Sequence, residues 1–207
     1  MKLSRNLSTA VVATLAALTP AVAPATEEPR YSVVRGGDVF EVRRYEPYLV
    51  AEVVVPGPAD EAGNQGFRIL ADYIFGANKG AVTMPMTAPV TQTPTPLRLD
   101  MTAPVTQTAT AGGFLVQFMM PSGFALATLP EPLNAQIVLR EVTQRTYAVI
   151  RYSGSWSQDN DEKHLERLRN ALAREGIATQ GEPVLSRYNA PFVPPFLRRN
   201  EVWLSVL

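Results

Sequence analysis

The stretch YLVAEVVVPGPADEAGNQGFRILADYIFG, residues 48–76, switches from one hydrophobic period to another and so sets the fold class. Its first part, residues 48–55, is apolar and rich in β-branched side chains, which favours a strand that ends at the Pro-Gly-Pro turn. Its second part places four apolar side chains on one helical face: Phe67, Leu70, Ala71 and Ile74. The stretch therefore predicts a strand, a tight turn and a helix over residues 59–75.

The same order of elements recurs later in the chain. Residues 147–152 predict a strand, and a helix is expected from Asp159 or Asp161 to about Glu175. Three leucines mark the inner face of that helix: Leu165, Leu168 and Leu172. Further strands are predicted at 31–35, 39–44, 114–120, 136–141, 184–188 and 201–206. Strands, helix and strands, repeated, predict an α+β fold with a largely antiparallel sheet, whose eight or so strands could curl into a barrel with both helices outside.

The phrase MTAPVTQT occurs at residues 86–93 and again at residues 101–108. The prolines within and between the two copies exclude a helix, while threonine and valine favour extended structure. Two copies are too few for a repeat array. We therefore expect two neighbouring antiparallel strands with Val90 and Val105 in one sheet, which gives the repeat a structural role.

Residues 1–25 have the composition of a signal peptide. Two basic residues precede an apolar run of small side chains that reaches about Leu18, and two A-x-A-like cleavage sites follow. The mature chain is expected to begin near Pro24 or Thr26, so that residues 26–207 form a single domain. The run is too short for a stable membrane span, and no cysteine at the cleavage site could carry a lipid. The predicted location is the periplasm or the exterior of the cell, with no stable membrane anchor after cleavage.

The composition excludes several classes of function. The 19 basic and 19 acidic residues give a formal net charge of zero, which argues against nucleic acid as a partner. The chain has no cysteine, so disulfides, thiolate metal sites and a cysteine nucleophile are excluded. It contains no G-x-S-x-G, Walker A or H-E-x-x-H signature, and an enzyme is not expected. A carboxylate-dependent hydrolase is the less favoured alternative, since two acidic residues can meet only in space.

Five motifs spread along the chain resemble one known family. They are FRILADYIFGAN (67–78), MTAPV (86–90), FMMPS (118–122), GEPVLSRYNAP (181–191) and PFLRRNEVW (195–203). Over residues 31–207 the chain is similar to the SOUL/heme-binding protein family, and the last two motifs are the most specific. The resemblance implies two similar α+β halves that form a distorted eight-stranded antiparallel β-barrel flanked by two helices.

The resemblance also implies that a tetrapyrrole, such as non-covalently held heme, binds in a shallow apolar groove beside the first helix. Heme needs an apolar wall and cations for its propionates. The candidate residues are Phe67, Leu70, Ala71 and Ile74 as the wall, Met84 and Met86 as deformable neighbours, and Arg68 for a propionate. The same row of side chains is also typical of an ordinary helix core, and both interpretations stay open at this point. Transport, buffering or scavenging would each fit such a site, and other lipophilic small molecules are the main alternative ligands.

The chain departs from relatives that hold heme through an axial histidine. Its one histidine, His164, falls on the second helix, about 70° from the centre of the leucine face on a helical wheel. A solvated position is expected for this side chain, which makes it a weak candidate for a metal ligand.

Overall fold

The computed structural model describes residues 26–95 and 113–207. Within this part, nine strands and two α-helices follow one another along the chain, with one short 3-10 helix (Pro195–Leu197) before the last strand. They are β1 (Tyr31–Gly36), β2 (Glu41–Tyr45), β3 (Tyr48–Pro56), α1 (Ala59–Ile74), β4 (Val90–Thr95), β5 (Gly113–Met119), β6 (Val138–Val142), β7 (Arg145–Tyr152), α2 (Gln158–Arg174), β8 (Thr179–Arg187) and β9 (Asn200–Val206). The α+β class and the predicted positions of both helices are confirmed. In the described chain no helix has the length and apolar character needed to cross a membrane.

One antiparallel sheet contains all nine strands, in the order β1-β2-β7-β9-β8-β4-β5-β3-β6. The first five strands of this order form one half and the last four form the other. The halves join where β4 pairs with β8, from Val90 opposite Arg187 to Gln92 opposite Leu185. The antiparallel two-helix architecture is thus as expected, with nine strands in the sheet where about eight were predicted.

The two helices lie on the same face of this sheet. Residues directly opposite each other in paired strands have their side chains on the same face of the sheet. Ala51 is opposite Phe118, Phe118 is opposite Val90, and Val90 is opposite Arg187, so these four side chains share one face. Ala51 and Phe118 belong to the core under α1, whereas Arg187 binds Asp161 of α2. We call the opposite side, which carries neither helix, the helix-free face.

Each helix covers its own hydrophobic core. Under α1, the apolar residues Ala62, Leu70 and Ile74 pack on Val53, Val116 and Phe118 of β3 and β5. Under α2, Leu168, Ala171 and Leu172 pack on Ala148, Ile150 and Val202 of β7 and β9. A third cluster, formed by Tyr45, Tyr147, Val149 and Trp203, fills the helix-free face of the half that α2 covers. The two separate helix-covered cores correspond to the two similar halves that the recurring order of elements predicts.

The last four residues of the first MTAPVTQT copy, together with Pro94 and Thr95, form β4 in the interior of the sheet, between β8 and β5. Proline usually confines a strand to the edge of a sheet or to a bend. Pro94 is tolerated because pairing with β8 ends at Gln92, so no partner on that side needs a proline N–H. The second copy lies outside the described residues, and the pairing of Val105 stays a prediction.

Candidate ligand-binding surface beside the first helix

The seven residues predicted for the site divide into three groups in the structure. Leu70, Ile74 and Met84 are almost completely buried and belong to the core under α1. They therefore stabilise the fold and present no surface to a ligand. For Leu70 and Ile74 the core interpretation of the helical row is therefore the right one.

Phe67 and Ala71 are half-buried on the flank of α1 that faces β4. The ring of Phe67 meets the ring of Phe118 edge to face, with centroids 5.3 Å apart. Arg68 and Met86, the last two predicted residues, are exposed to solvent. Four of the seven predicted side chains are thus accessible to a ligand, at least in part.

Phe75 extends this row and was missed in the sequence analysis. It follows α1 directly, its side chain is 59% exposed, and it continues the spacing of four that links Phe67 to Ala71. That spacing was the signal that could have found it. Val82, in the segment after the helix, is 39% exposed and Met86 is 38% exposed. We call Phe67, Ala71, Phe75, Val82 and Met86 together the α1 surface.

The segment that leads from α1 to β4 is held along the Phe67 side of the helix. At one end, the Met84 amide donates to the Ile74 carbonyl at 2.7 Å. In the middle, the Thr87 hydroxyl donates to the Met119 carbonyl. At the other end, Val90 pairs with Phe118, the residue that touches Phe67. The α1 surface is therefore largely preformed, as small-molecule sites usually are.

Asn78 braces the turn after the helix. Its side-chain amide donates to the carbonyls of Tyr73 and Val82, both at 2.8 Å, and its side-chain oxygen accepts the Val82 amide at 3.0 Å. The hydroxyl of Tyr73 donates to the Pro130 carbonyl at 2.8 Å, and burial raises the pKa of Tyr73 to about 12. These bonds fix the position of Val82 relative to the end of α1.

The helix-free face carries a dense network of charged groups around Glu201, which is completely buried. This carboxylate accepts hydrogen bonds from Arg43 at 3.1 Å, from the Arg199 Nε at 3.1 Å, and from Tyr188 and Trp203 at 2.8 Å each. Burial disfavours the charged form of Arg43, but the Glu201 carboxylate, together with Tyr45 and Glu41, outweighs this effect and raises the arginine pKa. Burial and the same carboxylate raise the pKa of Tyr188 well above its ordinary value.

This network offers no free acid or base. The other buried carboxylate among the described residues, Asp161, accepts the Tyr152 hydroxyl at 2.6 Å and pairs with Arg187. A carboxylate-dependent glycoside hydrolase needs one carboxyl group that protonates the leaving group and a second that attacks the substrate or activates water. Both buried carboxylates are instead held by arginine, which is a structural arrangement.

A narrow crevice, with room for little more than one water molecule, opens on the helix-free face near Trp203. Val50, Met119 and Trp203 supply apolar walls, and Thr91 and Gln117 supply polar groups. Pro29 of the N-terminal segment also lines it. The crevice lies on the opposite side of the sheet from α1 and includes none of the seven predicted residues.

His164 lies on α2, far from the α1 surface in the fold. It is half-buried, and its ring stacks on Tyr152 with centroids 4.1 Å apart and an interplanar angle of 11°. Its Nδ1 is 2.7 Å from the Asn160 carbonyl, so the neutral ring carries its proton on Nδ1. Within residues 26–95 and 113–207, no group of three or more His, Cys, Asp and Glu side chains could hold a metal ion.

Comparison with known proteins gives one family. A family model described as SOUL heme-binding protein matches residues 26–205. Heme-binding protein 1 of Xenopus laevis is 28% identical over 170 residues, covering 82% of this chain and 84% of that protein. Heme-binding protein 2 of Homo sapiens is 27% identical over 167 residues, covering 80% of this chain and 77% of that protein.

Solved structures share the fold at much lower identity. The C-terminal domain of EcmrR is 11% identical, with a TM-score of 0.52 over 86% of this chain and 98% of that chain. A hydrolase from Listeria innocua is also 11% identical, with a TM-score of 0.52 over 88% of this chain and 93% of that chain. These similarities establish the architecture alone.

Proposed function

Because the chain belongs to the SOUL heme-binding protein family, we propose that it binds a tetrapyrrole such as heme on the α1 surface. The match covers residues 26–205, and similar proteins from frog and human are named heme-binding proteins. The proposed location rests on one observation: Phe67, Ala71 and Phe75 form a row of accessible apolar side chains beside the hydrogen-bonded segment that leads from α1 to β4.

The residues of the α1 surface fit a flat apolar ligand held from one side. Phe67, Phe75 and Val82 present apolar area, and Met86 adds a flexible thioether that adapts to irregular shapes. Arg68, exposed next to Phe67, can meet a carboxylate at the edge of the ligand. Heme would supply its own apolar disc and two propionates, and these residues would bind and orient it.

The surface provides no histidine, since His164 stacks on Tyr152 of the other half. Binding by apolar contact and propionate pairing is therefore the proposed mode, with no histidine ligation. Because the surface lacks a histidine, the binding of other lipophilic small molecules is the second candidate function.

A hemin titration of the chain without residues 1–25 tests the proposal. We expect a Soret band to develop with saturation, together with quenching of the fluorescence of Trp156 and Trp203. Absence of a Soret change, with retained binding of an apolar dye, would assign the surface to other lipophilic ligands.

The variant Ala71→Glu places a carboxylate in the middle of the α1 surface. Because an unpaired charge resists burial under an apolar ligand, we expect hemin affinity to fall by roughly 1–3 kcal/mol. Gln65→Glu is the matched control, since it adds the same charge at an exposed position on the other flank of α1. Equal hemin affinities for the two folded variants would place the ligand elsewhere.

His164→Ala should leave the Soret band nearly unchanged, because this histidine is distant from the α1 surface. If this variant abolished the band while Ala71→Glu kept it, the ligand would sit at the second helix. Both variants need unchanged circular dichroism for the comparison to count.

We also propose that the protein is exported and buffers, transports or scavenges its ligand outside the cytoplasm. The charged start, the apolar run and the A-x-A sites of residues 1–25 support export. N-terminal sequencing of protein recovered from cells should begin at or near Pro24 or Thr26. An intact Met1 would contradict export.

A further inference from the structure

The loop that connects β8 to β9, residues 188–199, carries the most exposed aromatic side chains of the described chain. Phe192 is 88% exposed, Phe196 is 75% exposed and Leu197 is 63% exposed. All three lie within six residues, whereas isolated exposed apolar side chains are common and need no explanation. This concentration at one loop indicates a contact that the isolated domain does not make.

The loop is held rigidly in this exposed conformation. Arg198 donates from Nε to the Val193 carbonyl at 2.7 Å and from Nη2 to the Pro191 carbonyl at 2.6 Å. Its guanidinium lies over the ring of Trp156, 4.5 Å from the centroid. The Gly154 amide binds the Pro195 carbonyl at 2.9 Å. The phenylalanines are thus exposed by the architecture, because these bonds prevent the loop from folding back onto the core.

The charge of the loop is positive. Residues 188–199 contain two arginines and no acidic residue. Arg199 is neutralised by Glu28 and Glu201, but Arg198 contacts only carbonyl groups and an indole ring among the described residues. We call the exposed side chains of Phe192, Phe196 and Leu197 the apolar tip. One cation without a carboxylate partner among the described residues therefore lies at the base of this tip.

The apolar area of the tip favours a lipid surface over a protein as the binding partner. A stable protein interface buries about 800 Å² on each partner, more than two phenylalanines and a leucine can bury. A lipid surface needs no matched partner area. It takes up phenylalanine and leucine side chains at the boundary between headgroups and acyl chains, while a neighbouring cation meets anionic headgroups.

We propose that the β8–β9 loop is a peripheral membrane-docking tip that inserts Phe192, Phe196 and Leu197 into an anionic lipid surface. Arg198 lies at the headgroup level, and the rest of the domain stays in water. The docking is independent of the ligand bound at the α1 surface.

Co-sedimentation of the mature chain with phosphatidylcholine vesicles, with and without phosphatidylglycerol, tests the proposal. We expect binding to both vesicle types and tighter binding to the anionic type. In Phe192→Ser/Phe196→Ser the partition should fall by at least about tenfold, since each phenylalanine contributes a large part of the buried apolar area. The control Leu133→Ser/Leu207→Ser removes two other exposed apolar side chains and should bind like the wild type.

A fluorescent substitution provides a second measurement. In Phe192→Trp we expect the added emission to shift to the blue with vesicles, because the indole enters an apolar environment. Three results would overturn the proposal: no vesicle binding by the wild type, equal partition of the two double variants, or a Phe192→Trp emission that stays unshifted. If Phe192→Ser/Phe196→Ser lost hemin binding but kept its vesicle partition, the loop would belong to the ligand site. If the same variant changed its oligomeric state, the loop would serve self-association.

Discussion

Glu201 illustrates how single residues act in this protein. Its side chain is completely buried, yet it receives hydrogen bonds from two arginines, a tyrosine and a tryptophan. A buried carboxylate is tolerated only when such donors replace water. The arginines in turn depend on it, because both are largely buried and each carries a full charge.

Glu201→Gln tests this dependence. The amide keeps the size of the side chain but removes the buried anion beside Arg43, whose remaining carboxylate partner, Glu41, is partly exposed. We expect the free energy of unfolding, from urea titration at neutral pH, to fall by about 3–5 kcal/mol.

Glu131→Gln is the matched control for that experiment. It removes the anion of an ion pair with Lys79 in which both side chains are more than half exposed, and we expect a loss of at most about 1 kcal/mol. Similar losses in the two variants would show that the Glu201 network contributes nothing beyond a surface pair.

At the level of elements, α1 combines two roles on adjacent sides. The side centred on Gly66 and Leu70 packs on the sheet, and the flank with Phe67 and Ala71 remains accessible. A Cβ on Gly66 would lie 2.6 Å from Cγ2 and 2.7 Å from Cβ of Val116, so the absence of a side chain allows α1 to approach β5 closely.

Gly66→Ala should therefore destabilise the protein, although alanine favours a helix. Clashes with the rigid branch of Val116 should cost about 1–3 kcal/mol, more than the gain of up to about 1 kcal/mol in helix propensity. Gly63→Ala in the same helix meets only the end of the Gln92 side chain, at 2.8 Å, which can move aside. Thermal unfolding of both variants checks this, and a Gly66→Ala protein as stable as Gly63→Ala would contradict close packing of α1 on β5.

At the level of the whole molecule, two halves with separate cores are joined in two ways. The pairing of β4 with β8 connects the sheet, and the N-terminal segment bridges the halves from the other side. In that segment the Glu27 carbonyl accepts the Ala88 amide at 2.9 Å, and Glu28 pairs with Arg199 at 2.9 Å.

Alkaline pH should weaken the whole fold, because buried tyrosines occur in both halves. Burial raises the pKa of Tyr73 from 10.0 to about 12, and it raises the pKa of Tyr45, Tyr48 and Tyr152 as well. The unfolded chain loses these protons near pH 10, whereas the folded chain retains them to higher pH. The stabilisation is therefore complete below pH 10 and is lost as the pH rises through about 12.

Urea unfolding at several pH values between about 8 and 12 measures this loss, with tyrosinate absorbance recorded in parallel. We expect the free energy of unfolding to decline above pH 10 and most tyrosinate to appear together with unfolding. A constant free energy of unfolding, with full ionisation of tyrosine in the folded protein, would contradict the raised pKa values.

The sequence alone determined the order and positions of the elements. Strands and helices differ in the period of their hydrophobic residues, which is a local property of the sequence. The Pro-Gly-Pro boundary before α1 and the helical row from Phe67 to Ile74 could therefore be identified without a structure. The α+β class followed, as did family membership, because both rest on local motifs distributed along the chain.

Only the tertiary structure decided which of these side chains face the core. Adjacent helical positions are 100° apart, and the sheet beneath α1 covers Leu70 and Ile74 while leaving Ala71 partly accessible. A period identifies an apolar face, but it cannot tell how much of that face the neighbouring strands will cover. The pairing of Arg43 with Glu201 joins residues 158 positions apart, and it exists only because β2, β7 and β9 are neighbours in the sheet. Long-range strand order depends on the packing of the whole chain, and no local pattern encodes it.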